Sequence, residues 1–448
     1  MQIQLVSHAS VLIRTADLQI WTDPWLVSKV FNNSWTLLLP PAWDPEWLDA
    51  IDYIWISHEH PDHFNIPTLK ALPDAFKRRV TVLFQANNSD KMFAALRRLG
   101  FQNTLALPHR QVLALNGRTR VYCYQVGQMD SCLAVLGDDT VVLDINDAEA
   151  DTQDCQRMRA DLGPVRVVLN QFSLAGYGGE PDRDARLPGK ARQIVTNMIA
   201  NHRDLDAEVT IPIASFVYFS SVDNAYMNAY ANTPRDVADA FAAVGLQLAV
   251  LDHGDTYKNK NKNVEHAAEP HARPHDSEPA LRHYDQVYAG LAQLPLDPVP
   301  PASLADISAA LSKLHTQLTA CYPPWLLSTW LRPVSIKLLD LDETIELDLA
   351  LGQLRRTPCA APDLSLHAQP LLFALQHPFG VQTLGVSARF TVHANATNWR
   401  RHRILLSMFN AELYLRPHLL LTRRNLEHLR TRLSGGLRQL TSQLARMR

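Results

Sequence analysis

Apolar residues recur along this chain in two periods. Up to Trp21, short apolar runs (Ile3 to Val6, Val11 to Ile13, Leu18 to Trp21) alternate with turn residues, which predicts three strands of a meander. Ile51 to Ile56 is apolar, β-branched and aromatic, and predicts a buried strand. Thr68 to Leu72 begins a helix, Val80 to Gln85 is a strand, and Ser89 to Leu99 is a helix closed by Gly100. Val121 to Gly127, Cys132 to Leu136 and Thr140 to Asp147 predict strands, the last two joined through Asp138-Asp139. Then come a strand at Val165 to Asn170, an amphipathic helix at Lys190 to His202 and a strand at Glu208 to Ile213. A helix opened by Thr233-Pro234 and a last strand at Leu246 to Leu251 follow. Strands alternating with helices predict an α/β region in which helices cover sheet.

The pattern breaks after residue 255. Lys258-Asn259-Lys260-Asn261-Lys262-Asn263 leads into a Glu/His/Pro/Arg segment without apolar period, so 256–290 is expected to be a polar flexible insertion or linker. Its His266, His271, His275 and His283 read as a solvated loop rather than a metal tract. From 291 to 448 a smaller α+β region is expected. It has a helix at Leu304 to Leu318 and a hairpin of Val334 to Leu338 with Thr344 to Leu349. Further alternating segments fall at Leu364 to His367, Leu371 to Leu375 and Gly385 to Val392. It ends in an Arg-rich amphipathic helix with Leu426, Leu429, Leu433, Leu437, Leu440 and Leu444 at helical spacing.

Composition narrows the function classes. At 448 residues and a net charge of −2, the chain has ample core and no global signature for nucleic acid or an anionic membrane. Its five cysteines are odd in number and show no C-x-x-C spacing, which argues against a disulfide framework and a thiolate cluster. Met1 to His8 lacks a basic n-region and a long apolar run, and no stretch approaches the roughly 20 apolar residues that span a bilayer. A cytoplasmic protein without a transmembrane segment is expected.

The chemistry concentrates behind the strand at Ile51 to Ile56. Ser57-His58-Glu59-His60-Pro61-Asp62-His63-Phe64 holds three histidines and one aspartate at H-x-H-x-D-H spacing. Neutral imidazole and carboxylate are the ligands that borderline divalent ions prefer, and on one strand-end loop they face a common point. A dinuclear site also needs a bridging anion. A carboxylate at the end of Thr140 to Asp147 would supply it, and Asp144 and Asp147 are both available. Asp23, in Thr22-Asp23-Pro24, could orient a ligand or could start an Asp-Pro turn.

The H-x-H-x-D-H element resembles the signature of the metallo-β-lactamase superfamily. That resemblance implies an αββα sandwich over residues 1–255, with His58 and His60 on metal 1 and Asp62 and His63 on metal 2. It favours Asp147 as the bridge, His253 in Asp252-His253-Gly254-Asp255 as the last ligand of metal 2, and an outer role for Asp23. It also places His8 near the site without binding metal. The third metal-1 ligand of the family is a His shortly before the last hairpin. None stands between His109 and Asp147, so Gln128 or Asp130 is expected to complete that shell. More oxygen ligands shift preference from zinc towards iron or manganese.

His8-Ala9-Ser10, Thr22-Asp23-Pro24-Trp25-Leu26, Pro40-Pro41, Asn170-Gln171-Phe172-Ser173 and Pro212-Ile213-Ala214 extend the likeness. Their arrangement is similar to the CMP-N-acetylneuraminate hydroxylase-like branch. This chain lacks the paired Cys and His motifs of that branch's Rieske domain. The resemblance implies a dinuclear metalloenzyme with two divalent ions, iron first and zinc or manganese as alternatives. The expected reaction is an O2-dependent oxidation of a small molecule, with an external electron donor and with Asp62, His63 and Asp147 at the reacting centre. The alternative is a metallo-hydrolase that cleaves an ester, lactone, amide or phosphodiester through a metal-bound hydroxide.

Overall fold

The computed structural model describes residues 1–86, 90–127, 129–268, 276–359, 361–393, 396–416 and 419. It divides into two units. The first comprises Met1–Ala175, Asp184–Ser220 and Ala225–Leu296; the second comprises Gly176–Arg183, Ser221–Asn224 and the chain from Asp297 onward.

Side-chain alternation builds the first unit. Its eight-stranded sheet runs Asn263–Glu265, Thr256–Lys258, Gln2–Leu5, Val11–Arg14, Gln19–Thr22, Tyr53–Trp55, Thr81–Gln85, Asn103–Leu107. Its six-stranded sheet runs Val209–Ile213, Val167–Gln171, Thr140–Asn146, Asp130–Gly137, Arg120–Val126, Val112–Ala114. Successive residues on a strand point to opposite faces. Ile13, Ile20, Trp55 and Leu83 of one sheet therefore share a buried cluster with Cys123, Leu133, Val142 and Leu169 of the other.

Their neighbours face outward under helices. Leu12, Trp21, Ile54 and Val82 pack with Leu69, Phe76 and Leu96; Tyr122, Ala134, Leu143 and Val168 pack with Cys155 and Met158. The layers are helix, sheet, sheet, helix, the αββα sandwich expected from the sequence. The sandwich brings the ends of Gln19–Thr22, Tyr53–Trp55 and Thr140–Asn146 close enough for their loops to touch, as the Asp23 bonds described below record.

The second unit has a five-stranded sheet in the order Gln353–Arg356, Glu343–Asp348, Val334–Leu338, Leu364–Leu366, Phe390–Val392. Ile336, Ile345 and Leu364 share its core with Ile307, Leu311, Leu318 and Leu371 from helices Leu304–Cys321 and Ala368–Gln376. Gly176, at φ +138°, belongs to this unit, and a Cβ there would lie 2.7 Å from the Val386 Cα. The second unit mixes helices with this sheet and includes two short pieces of earlier sequence, Gly176–Arg183 and Ser221–Asn224.

Three expectations are corrected. The segment 256–290 is not one flexible linker: Thr256–Lys258 and Asn263–Glu265 extend the large sheet by pairing with Gln2–Leu5 and with each other, and Glu278–Ala289 is a helix. Polar composition hid this because edge strands and helix surfaces are polar too. Leu246 to Leu251 forms only a bridge, Thr210 to Leu248, rather than a strand. Leu371 to Leu375 lies in the helix Ala368–Gln376, and Gly385 to Ser387 ends the helix Gly380–Ser387, because a short apolar run fits either period. His271, His275 and the leucine series from Leu426 lie outside the described residues. Among the described residues no helix is long and apolar enough to cross a membrane.

Candidate metal centre

The H-x-H-x-D-H loop is clamped at both ends. Upstream, Ile56 N donates to Leu83 O at 3.1 Å and continues the strand edge. The Ser57 carbonyl then accepts from Ser131 Oγ at 2.6 Å and from Gln85 Nε2 at 3.4 Å. Downstream, His63 N and Phe64 N both donate to His60 O, at 3.1 and 2.7 Å, which folds the loop back on itself. Asn65 caps the helix Ile66–Ala71, its Oδ1 accepting from Thr68 N at 3.0 Å, while its Nδ2 donates to Pro61 O at 3.0 Å. A cap of this kind is worth about 1 kcal/mol, and here it also fixes the exit of the loop.

Asp23 is the fixed point behind the loop. It is fully buried at φ +39°. Its carboxylate accepts from Ser57 N at 2.8 Å, Ser57 Oγ at 2.7 Å and Asn146 Nδ2 at 2.5 Å, and pairs with His63 Nδ1 at 2.9 Å. These contacts fix which face His63 presents: with Nδ1 held by Asp23, Nε2 points forward. Forward it meets Asp62 Oδ2 at 3.2 Å and Asp147 Oδ2 at 3.4 Å. His58 Nε2 lies 2.8 Å from His60 Nδ1 and 3.9 Å from Asp130 Oδ1, and His58 Nδ1 lies 3.8 Å from Asp147 Oδ1. His8 Nε2 lies 3.4 Å from Asp62 Oδ2.

Two groups of ligating atoms result, each within 4.8 Å: His8 with Asp62 and His63, and His58 with His63 and Asp147. The structure thus gathers His58, His60, Asp62, His63, Asp130 and Asp147. Gln128 lies outside the described residues. His253 belongs to neither group. Its Nδ1 is 2.9 Å from Pro40 O, and its buried Nε2 has no hydrogen-bond partner among the described residues.

The electrostatics are those of a place that wants a cation. Burial would lower the His63 imidazole, but Asp147, Asp62 and Asp23 outweigh it and hold it well above its ordinary range. Burial would raise Asp62 and Asp147; the charge on His63 overrides it and draws both below the usual carboxylate range. Burial, reinforced by His58, holds His60 down at about 4, which keeps it a neutral donor. Asp130 is pushed up to about 6 by burial and by the Asp147 charge. Asp144, buried beneath the site near Asp23, is held well above the carboxylate range by burial and that neighbour, and has no hydrogen-bond partner among the described residues.

Metal fits this donor set on the structure's own terms. Buried polar atoms are almost always hydrogen-bonded. Yet His8 Nδ1 and Nε2, Asp62 Oδ1, His63 Nε2 and Asp147 Oδ1 are all buried without a hydrogen-bond partner among the described residues. An orphan of this kind costs about 1–3 kcal/mol, and here several converge on one small volume.

Sequence reasoning missed Asn146 and Ser131, which hold Asp23 and the Ser57 carbonyl. It also set His8 aside. The one available signal for Asn146 was its place just before Asp147; the structure adds that the strand pairing is interrupted between Asp144 and Asn146.

Residues 2–154 match the family model described as a β-lactamase superfamily domain. A cytidine monophosphate-N-acetylneuraminic acid hydroxylase of Asterias rubens is 30% identical over 183 residues, covering 39% of this chain and 26% of that protein. The chain therefore spans about a quarter of that relative's length. An isothiocyanate hydrolase from Delia radicum gut bacteria aligns with a TM-score of 0.44 and 15% identity, covering 58% of this chain and 99% of that one. A diiron β-hydroxylase from Streptomyces venezuelae aligns with a TM-score of 0.39 and 17% identity, covering 56% and 53%. Residues 2–154, which supply much of the helix–sheet–sheet–helix layering, are thus similar to a β-lactamase superfamily domain.

Proposed function

We propose that the first unit is a dinuclear metalloenzyme, and that it is a diiron, O2-dependent oxygenase of a small molecule. His58, His60 and Asp130 would hold one ion, Asp62, His63 and His253 the other, and Asp147 would bridge them. The observation that carries the iron reading is Asp130, whose Oδ1 stands 3.9 Å from His58 Nε2 in a chain that has no His between His109 and Asp147. A carboxylate there gives an oxygen-rich shell, which suits iron or manganese better than zinc. The identity with hydroxylases over 183 residues supports the same direction.

Bound iron would supply the redox chemistry with O2. The chain's own residues supply geometry. Asp23 fixes the face of His63 by accepting from Nδ1, the Pro40 carbonyl fixes His253 in the same way, and the burial of His58 and Asp62 keeps water from their donor atoms. Electrons are proposed to come from an external donor. A metallo-hydrolase is the second reading, favoured by the imidazole-rich side of the cluster, where His8, His58, His60 and His63 lie together.

Metal analysis after anaerobic purification separates the two. Two irons per chain, an oxo-bridge absorption band and O2 uptake support the oxygenase. Two zincs with hydrolysis and no O2 consumption would replace it by the second reading. Asp130→Ala is expected to lose the metal-1 ion; if it keeps both ions while Gln128→Ala loses one, Gln128 takes that role.

A further inference from the structure

We infer that His8, from the first turn of the chain, is a direct ligand of the second metal ion, through Nε2, beside Asp62 and His63. The inference rests on the two-metal reading above and adds a nitrogen to it.

Spacing is the first argument. Two donor atoms each about 2.1 Å from one ion at a near-tetrahedral angle stand about 3.4 Å apart. His8 Nε2 to Asp62 Oδ2 is 3.4 Å, and His63 Nε2 to Asp62 Oδ2 is 3.2 Å. The approach of His8 to Asp62 is thus the separation of two atoms sharing an ion, and too long for a strong hydrogen bond.

Satisfaction is the second. The His8 imidazole is 1% exposed, and neither ring nitrogen has a hydrogen-bond partner among the described residues. Trp25, Trp35 and His63 surround it edge-on, with ring centroids at 5.4, 6.3 and 5.9 Å. The two indole edges offer no acceptor. An imidazole kept only for packing would be replaced at no cost by an apolar ring; a metal ligand would not.

Rigidity is the third. Val6 N donates to Ser10 O at 2.8 Å, closing the turn, and Ala214 N donates to His8 O at 2.7 Å. Ser7 Oγ donates to Trp25 O at 2.8 Å, and Trp21 Nε1 donates to Ser10 Oγ at 2.7 Å. Every residue flanking the imidazole is tied down, so its direction is set before an ion arrives.

Cobalt(II) titration of the metal-free full chain tests this, read by visible absorption and by elemental analysis after gel filtration. Wild type is expected to take two ions. His8→Phe, which refills the aromatic surround without a ligating atom, is expected to weaken one of the two sites by more than the roughly 100-fold that loss of an outer hydrogen-bond partner can cost. His8→Gly is expected to regain much of that affinity when free imidazole is added, which keeps the outcome readable if the phenylalanine variant folds poorly. Two ions bound by His8→Phe within 100-fold of wild-type affinity, or no rescue of the glycine variant, would overturn the ligand role of His8 and leave the two-metal reading standing. Fewer than two ions on wild type would overturn both.

Discussion

Two corners of the first unit are rich in histidine and aspartate, and they have opposite characters. In the corner around Asp252 to His283, every described histidine but one is satisfied by its neighbours. His266 places Nδ1 2.7 Å from Asp255 Oδ2 and Nε2 2.7 Å from Asp276 O, and His283 Nδ1 is 2.5 Å from Asp252 Oδ2. In the corner around His58 to His63, His58 Nε2 contacts His60 Nδ1 and Asp23 holds His63 Nδ1, yet His63 Nε2, Asp62 Oδ1 and Asp147 Oδ1 are buried without a hydrogen-bond partner among the described residues. Residue types are the same in both. What separates them is whether several buried ligating atoms that converge are left without a partner among the described residues. A satisfied His–Asp pair is architecture; a converging set of unsatisfied ones is a binding site. His253 is the exception in its corner, since its Nε2 has no hydrogen-bond partner among the described residues.

The contrast can be broken at several points. Asp147→Ala should have the largest effect, because it removes the carboxylate proposed to bridge the two ions. Metal content is expected to fall from two ions per chain to one or none, read by elemental analysis; two retained ions would remove Asp147 from the site. Next is metal itself. An ion at a hundredfold excess over its dissociation constant stabilises the folded state by about 2.7 kcal/mol per site. Chelation should therefore lower the melting transition of the first unit, and an unchanged transition in calorimetry would contradict the site.

Asp23→Asn keeps the shape but weakens the hold on His63 Nδ1, and should reduce affinity for the second ion by about 10–100-fold with the fold retained. The smallest effect on metal belongs to His266→Gln. It should lower stability by about 1–3 kcal/mol in denaturant melts and leave the ion count unchanged; a lost ion would mean that the two corners act as one.

Much of the fold was legible because strand alternation is a local property. Val11 to Ile13 and Val165 to Asn170 declare both faces in their own residues, and the helix at Thr233 declares its start with Thr-Pro. Legibility failed where burial comes from a distant partner. Thr256–Lys258 is polar on one side because it covers the sheet edge beside Gln2–Leu5, some 250 positions away in sequence, and nothing local records that. In the site, the loop His58 to His63 could be read from spacing alone. Asn146 and Ser131 could not, because their roles are single hydrogen bonds to Asp23 and to the Ser57 carbonyl from across the sandwich.

The sequence by itself determined that four ligand-type residues leave one buried strand on one short loop, since residues so close in the chain cannot be far apart in space. Only the tertiary structure decided which others join them. Asp130 and Asp147 arrive from the second sheet, and His8 from the first turn. Their convergence depends on how two sheets pack face to face. The same packing decided that His63 is wedged among three carboxylates while His266 is already paired. Covalent proximity is written in the order of residues, but electrostatic need arises only when separate segments are buried together.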